Sequence, residues 1–189
     1  MGIQNENWIQ RHQITVDQYY QLAQVGLLSP DDRVELIEGE IFDKASIGSE
    51  HAGLVNQLTA RLNQAAGNRA IVATQNPLRL SEQSEPQPDV ALLRFRNDFY
   101  RRNHPTAADA LLVIEVAQTS IRYDREVKLP LYAKHGIPEA WIVDLDSGQL
   151  CIFRDPQDAR YLSETTTTQP GKLILIAMPD VGIDLTGLF

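Results

Sequence analysis

Two carboxylates stand where the sequence otherwise builds buried strands. Glu115 interrupts the apolar run LLVIEVA at residues 111–117, which is typical of a central strand covered on both faces. A buried ionised carboxylate is costly unless a cation or hydrogen-bond donors satisfy it. Asp89 opens the preceding predicted strand. If the two strands pair, both carboxylates converge as hard oxygen ligands for Mg²⁺ or Mn²⁺. For Glu115 alone, a structural salt bridge is an equally good explanation.

Lys128 is the basic residue best placed to meet these carboxylates. It lies on a helix predicted over residues 123–135, after the Glu115 strand. From this helix its ammonium group can reach back to orient a water molecule or to stabilise charge on a phosphate. Asp124 and Tyr132 lie four residues on either side of Lys128 and share its helical face. A solvated ladder of side chains on the helix surface is the alternative for these three residues.

Periodicity and turn signals predict the elements that position these residues. Thr15 caps a first helix that we expect to end near residues 29–30, and RVELIEGEIF at residues 33–42 predicts a hairpin that turns at Gly39. Leucines spaced by four predict an amphipathic helix over residues 49–66. The order of elements predicts one α/β or α+β domain with a mixed sheet over residues 1–189. The other predicted features are strands at 69–74, 77–80, 89–95, 111–117, 140–143, 150–154, 161–165 and 172–177, and a kink or later helix start at Pro130.

Several short motifs, in this order, resemble a large family of restriction-endonuclease-like bacterial proteins in the PD-(D/E)XK nuclease superfamily. The motifs span about residues 33–144, which we take as the core. The resemblance implies a restriction-endonuclease-like mixed β-sheet flanked by helices, here with an N-terminal hairpin and C-terminal antiparallel strands. The motifs are VELIEGEI, a helical His51, PDVALL, LLVIEVAQTS, then Asp124, Lys128 and Tyr132, and GIPEAWIVD.

The resemblance also implies an activity, a Mg²⁺-dependent (or Mn²⁺-dependent) endonuclease that hydrolyses phosphodiester bonds in DNA. By this resemblance Pro88 and Asp89 form the PD motif, and Glu115 is the second acid and metal ligand. The superfamily pattern places a lysine two residues after that acid, where this chain has Ala117. In this family the lysine matches Lys128 on the following helix, so we expect Asp89, Glu115 and Lys128 to be catalytic.

Two further positions, Glu35 and His51, match the family. We expect accessory roles for both of them, and also for Asp124 and Tyr132. Glu35 in the acidic hairpin would be a third acidic group near the metal. His51 would touch a substrate phosphate or one of the ligand carboxylates. The alternatives are a solvated hairpin charge for Glu35 and a polar helix-start residue for His51.

A basic and aromatic cluster, RFRNDFYRR, stands out at residues 94–102 of an acidic chain. Arginine donates to phosphate in a forked geometry and aromatic rings stack on bases, so we expect this segment to bind nucleic acid. Because it directly follows the Asp89 strand, we also expect it beside the site. A surface arm or a dimer contact is the alternative. The four arginines are Arg94, Arg96, Arg101 and Arg102.

Composition limits the classes of function. The 189 residues carry 17 Lys+Arg against 25 Asp+Glu, a net charge of -8, so no global basic field attracts nucleic acid or anionic membranes. One cysteine excludes an internal disulfide and a cysteine zinc site. Without an apolar segment of membrane or signal length, we expect a cytoplasmic protein, and exposed C-terminal edge strands allow a homodimer.

Two rival functions stay open beside the nuclease. The first is a catalytically inactive nuclease-fold module that binds nucleic acid or a protein partner, which Ala117 and the acidic composition favour. The second is a structural domain in which Glu115 pairs directly with Lys128 and no cavity forms. A divalent ion held by Asp89 and Glu115 would favour the enzyme.

Overall fold

The protein is built on a six-stranded mixed sheet. The computed structural model describes residues 11–29 and 31–189. A π-helical turn, Asp124–Lys128, connects α3 to α4. The helices and strands are α1 (Val16–Gln24), β1 (Val34–Ile37), β2 (Glu40–Asp43), α2 (Ser49–Ala66), β3 (Ala70–Thr74), β4 (Val90–Arg94), β5 (Ala110–Ala117), α3 (Ile121–Tyr123), α4 (Leu129–Lys134), β6 (Glu139–Asp144), β7 (Gln149–Gln157), β8 (Arg160–Thr167), β9 (Lys172–Leu175) and β10 (Met178–Asp184).

The six strands of the main sheet lie in the order β3-β4-β5-β6-β7-β8. Only β5 and β6 pair in parallel, and the helical segment α3–α4 makes the crossover between them. The hairpins β1-β2 and β9-β10 form separate two-stranded sheets. The predicted mixed α+β fold is therefore confirmed. None of the helices in the described residues is long and apolar enough to cross a membrane.

The two faces of the main sheet are covered by different helices. Leu58 and Leu62 of α2 pack with Val90, Leu112 and Ile114 on one face. On the other face, Leu131 and Tyr132 of α4 pack with alternate residues of the same strands, including Ala91, Val113 and Ala117. Because side chains alternate along a strand, Glu115 belongs to the face that α4 covers.

The register of β4 and β5 brings the two predicted carboxylates to one end of the sheet. The strands are antiparallel and Val90 lies opposite Ile114. Asp89 precedes Val90, and Glu115 follows Ile114, so both residues lie at the end where β4 begins. Opposite residues of an antiparallel pair share a face of the sheet. The expected pairing of these two strands is confirmed.

The β1-β2 hairpin carries Glu35 to the same end of the sheet through a tight two-residue turn. Glu38 and Gly39 both have positive φ, 48° and 79°, as the favoured hairpin turn requires. A Cβ atom on Gly39 would lie 2.5 Å from Cβ and 3.0 Å from Cα of Gln13. The chain before α1 therefore packs directly on this turn, and the position needs glycine for its conformation and for its space.

We expect Gly39→Ala to lower the free energy of unfolding by about 1–3 kcal/mol, because a strained φ is combined with a steric clash. Gly26→Ala is the matched control, since Gly26 has a φ of 77° and a Cβ atom added there would meet nothing within 4 Å. Urea denaturation of both variants checks this. Equal losses for the two variants would show that the contact with Gln13 contributes nothing.

Three details of the sequence-based assignment were wrong. Helix α1 has the predicted Thr15 cap but ends at Gln24, before the turn at Gly26. Residues 77–80 form isolated bridges rather than a strand. Residues 172–177 do not form one strand, because β9 ends at Leu175 and folds back as β10. The later helix start expected at Pro130 is borne out, because α4 begins at Leu129, directly after the π-helical turn, and holds Pro130 in its first turn.

Candidate active site

A cavity of about 490 Å³ opens at the end of the sheet where β4 begins. It is bounded by the β1-β2 hairpin, the start of α2, the loop after β5 and the π-helical turn. Both predicted catalytic carboxylates and Lys128 line it. The ionisable lining residues are Arg33, Glu35, Asp43, Lys44, His51, Asp89, Glu115, Tyr123, Asp124 and Lys128.

Asp89 is held in one orientation by three hydrogen-bond donors. Its Oδ2 accepts from the Val116 backbone N–H at 2.9 Å and lies 3.1 Å from Nε2 of His51. Its Oδ1 accepts from the Gln75 side chain at 3.2 Å. Burial opposes ionisation, but the bonds from His51 and Val116 outweigh it and lower the pKa of Asp89 to about 2. Asp89 is therefore a fixed anion at neutral pH.

Glu115 lies deeper and is tied to the helix that crosses its face of the sheet. Its Oε1 is 2.8 Å from Nζ of Lys128 and accepts the Tyr132 hydroxyl at 2.5 Å. Glu115 and Lys128 are both buried, with 5% and 2% of their surface exposed. Burial raises the pKa of Glu115 to about 8, and neighbouring carboxylates add to this although Lys128 opposes it. This carboxylate therefore needs a further cation to be fully ionised.

Lys128 joins three elements around the cavity. Its Nζ lies 3.4 Å from Oε2 of Glu35, in addition to its contact with Glu115. Glu35 is buried and accepts the backbone N–H of Gln87, two residues before Asp89. Burial disfavours the charge on Lys128, but Glu115 and Glu35 raise its pKa well above the ordinary value. Lys128 is thus a permanent cation.

The remaining accessory residues also reach the cavity or its wall. Asp124 is buried, accepts the Ser120 hydroxyl at 2.7 Å, and has a pKa raised by burial. Tyr132 does not line the cavity and contacts it through Glu115. His51 uses Nε2 on Asp89, while its buried Nδ1 has no partner among the described residues. None of these side chains belongs to a solvated surface ladder.

A π-helical turn carries both Asp124 and Lys128, which face the same cavity. Such turns widen a helix locally and occur frequently at functional sites. Both residues lie at the ends of Asp124–Lys128, and both are buried against the sheet. The predicted shared helical face of Asp124, Lys128 and Tyr132 is confirmed, although no sequence pattern indicated the widened turn.

The donor set suits a hard divalent cation. Asp89 and Glu115 are carboxylates that line one cavity, and Mg²⁺ binds through one or two carboxylates while keeping several water molecules. Carboxylates outnumber permanent cations along the cavity wall. In residues 11–29 and 31–189, no group of three or more His, Cys, Asp or Glu side chains forms a complete metal site. Water or substrate oxygens would therefore complete the coordination.

The basic segment at residues 94–102 does not lie beside the cavity, so this expectation was wrong. Arg94 ends β4 while Asp89 precedes its start, and five residues of strand separate them by about 16 Å. Arg94 donates to the Ala108 carbonyl, and Arg96 pairs with Asp98 and stacks on Tyr100. Arg101 and Arg102 are exposed.

The sequence analysis missed several polar residues at the site, including Lys44 and Gln75. Lys44 follows β2, lines the cavity and donates from Nζ to the Gln87 carbonyl at 2.7 Å. Gln75 follows β3 with a positive φ of 52° and donates to Asp89. Lys44 could have been identified from the sequence, because it directly follows the acidic hairpin. No sequence pattern marked Gln75.

A comparison with protein families identifies the chain. The family model Uma2, described as "Putative restriction endonuclease", matches residues 16–186. The chain belongs to the Uma2 family. The resemblance noted in the sequence is thereby confirmed, and the match extends beyond residues 33–144 at both ends. Uma2 membership supports a nuclease-like function.

A solved structure shows the same fold as this Uma2 protein. It is a crystal structure from Anabaena variabilis ATCC 29413, described as "a putative nuclease belonging to DUF820". The two structures superpose with a TM-score of 0.70 at 18% sequence identity, over 93% of this chain and 97% of that one. At this identity the likeness establishes the fold alone. No curated protein matches the chain.

Proposed function

We propose that this Uma2 protein is a metal-dependent endonuclease that hydrolyses phosphodiester bonds in nucleic acid, with DNA as the expected substrate. One observation carries the proposal. Asp89 and Glu115, from paired strands, open into one cavity together with a buried Lys128 that lies 2.8 Å from Glu115. Oriented carboxylates, an adjacent cation and space for a ligand are what metal-assisted hydrolysis of a phosphodiester needs.

Asp89 and Glu115 would hold Mg²⁺ or Mn²⁺. The bound ion would polarise the phosphate and lower the pKa of an attacking water molecule. Asp89 is preorganised for this role because His51, Gln75 and the Val116 N–H fix both of its oxygens. Preorganised groups require no rearrangement when charge develops in the transition state.

Lys128 would hold the water molecule or the developing negative charge close to Glu115. Glu35 pairs with Lys128 and keeps its ammonium group in place. Tyr132 donates to Glu115 and keeps that carboxylate in place. The superfamily position for this lysine is Ala117, which is fully buried. In this proposal, the ammonium group of Lys128 on the helical segment would take the place of one on the strand.

A nuclease-fold module that binds without cleaving is the second candidate. The observation in its favour is that Lys128 already pairs with Glu115, which leaves the described site neutralised in part without a metal. A purely structural role is less well supported, because that pair borders a cavity of about 490 Å³. Nucleic-acid binding by Arg94, Arg96, Arg101 and Arg102, the homodimer and the cytoplasmic location stay predictions.

Mn²⁺ binding by calorimetry tests the proposal directly. The wild type is expected to bind, and Asp89→Asn and Glu115→Gln are each expected to weaken binding by at least about tenfold, since each removes one ligand charge. Asp146→Asn is the matched control, because Asp146 is exposed in a turn outside the cavity. If the wild type binds Mn²⁺, it is then expected to cleave a supercoiled plasmid in the presence of that ion. No Mn²⁺ uptake by the wild type would leave the binding module as the better proposal.

A further inference from the structure

Lysines are unusually concentrated at this cavity. The chain has four lysines, and two of them, Lys44 and Lys128, line it. Lys44 is fixed at both ends, because its backbone N–H donates to the Arg33 carbonyl at 2.7 Å and its Nζ donates to the Gln87 carbonyl at 2.7 Å. It therefore forms a defined part of the wall and is partly buried there.

The two lysines differ in what satisfies their charge. Lys128 has two carboxylates within 4.0 Å, those of Glu115 and Glu35. In the part of the chain that the structure describes, no carboxylate comes within 4.0 Å of the Lys44 ammonium. An ammonium group has three donors, and the hydrogen bonds of Lys44 Nζ include one neutral carbonyl and no anion. Burial and the charge of Lys128 accordingly lower the pKa of Lys44.

We propose that Lys44 binds a phosphate group of the nucleic acid substrate at the mouth of this cavity. The inference rests on the proposed function and adds a substrate-binding residue to it. Lys128 already contacts two carboxylates inside the cavity, whereas Lys44 has no anionic partner among the described residues and keeps more of its three donors for an incoming anion. A phosphate oxygen would supply the negative partner that Lys44 lacks, and a charge-assisted hydrogen bond would form.

A structural role predicts something different for Lys44. Lys44 contacts the segment that leads into Asp89 through the Gln87 carbonyl. In a structural role, Lys44 would therefore position Asp89 as a metal ligand. In that case the loss of Lys44 would weaken metal binding. A phosphate-binding role predicts unchanged or tighter Mn²⁺ binding, because a positive charge leaves the cavity while both ligand carboxylates stay.

Fluorescence anisotropy with a labelled phosphorothioate DNA duplex, which resists hydrolysis, tests the proposal in Mn²⁺ at several salt concentrations. Lys44→Met is expected to bind about tenfold more weakly. The slope of log affinity against log salt should become shallower by about 0.9, as expected for one lost phosphate contact. Lys44→Arg should keep most of the affinity. Lys172→Met, the same charge change on the exposed start of β9, should bind like the wild type.

Calorimetry with Mn²⁺ on the same proteins separates the outcomes. Wild-type affinity and salt slope in Lys44→Met would overturn this inference and leave the nuclease proposal intact. Loss of Mn²⁺ binding in Lys44→Met would also overturn it, in favour of a positioning role. A wild type that binds neither Mn²⁺ nor the duplex would overturn both proposals.

Discussion

Lys128→Met is expected to lose about 3–5 kcal/mol of stability at pH 7, because it removes one partner of a buried ion pair. The ammonium group of Lys128 lies between Glu115 and Glu35, and all three residues are buried. Without it, two carboxylates face each other without a cation. Nuclease activity should fall by about 100-fold or more, since a preorganised charge next to the reacting atoms is lost. Urea denaturation and plasmid cleavage measure the two effects.

The pH dependence of that loss identifies its cause. Burial already raises the pKa values of Asp124 and of Glu115, the latter to about 8, so at neutral pH the folded protein holds a proton on Glu115 that the unfolded chain releases. Removing Lys128 raises these values further, and stability then increases as the pH falls. The penalty of Lys128→Met should therefore be smaller at pH 5 than at pH 8, and Mn²⁺ should recover part of it.

Lys134→Met is the matched control for charge. Lys134 lies in the same helical segment, but its pair with Glu38 joins two side chains that are more than half exposed. Exposed pairs contribute about 0–1 kcal/mol. A similar loss of stability in both variants, or a loss in Lys128→Met that does not change with pH, would contradict the electrostatic explanation.

The fold and the central carboxylates could be predicted because burial gives a local signal. Glu115 stood out because it interrupts an apolar run, which predicted a buried strand. The structure places it in an eight-residue strand that has no exposed positions. The helix at residues 49–66 followed from its leucine spacing and was confirmed at both ends. Gly39 marked its turn because few other residues adopt that conformation.

The parts that could not be predicted depend on contacts between distant segments. Lys44 meets Gln87, and Gln75 meets Asp89, only after the hairpin and β3 have packed against the end of β4. The π-helical turn has no distinct sequence pattern. The placement of the arginine segment was wrong for a simpler reason. It follows Asp89 in sequence, but a whole strand carries the chain to the opposite end of the sheet.

One of the two conditions of the structural hypothesis is met and the other is not. The structural alternative required a direct pair between Glu115 and Lys128, and that pair exists. It also required that no cavity form, yet both residues line one. A buried pair of this kind contributes little net stability and is frequently found where a pKa must be tuned. The pair is therefore evidence about the chemistry of the site as well as about its stability.

The affinity for Mn²⁺ is expected to rise about tenfold for each pH unit from about pH 6 to about pH 8, and then to level off. Glu115 causes this dependence, because burial raises its pKa to about 8 and the metal must displace its proton. Asp89, with a pKa of about 2, stays ionised throughout and adds no slope.

Calorimetry in two buffers of different ionisation enthalpy should show close to one proton released per ion below pH 7. Glu115→Gln should bind weakly and without this slope. An affinity that is constant from pH 6 to pH 8 in the wild type would mean that Glu115 is already ionised in the metal-free protein, and Lys128 would then supply all the cationic charge that Glu115 needs.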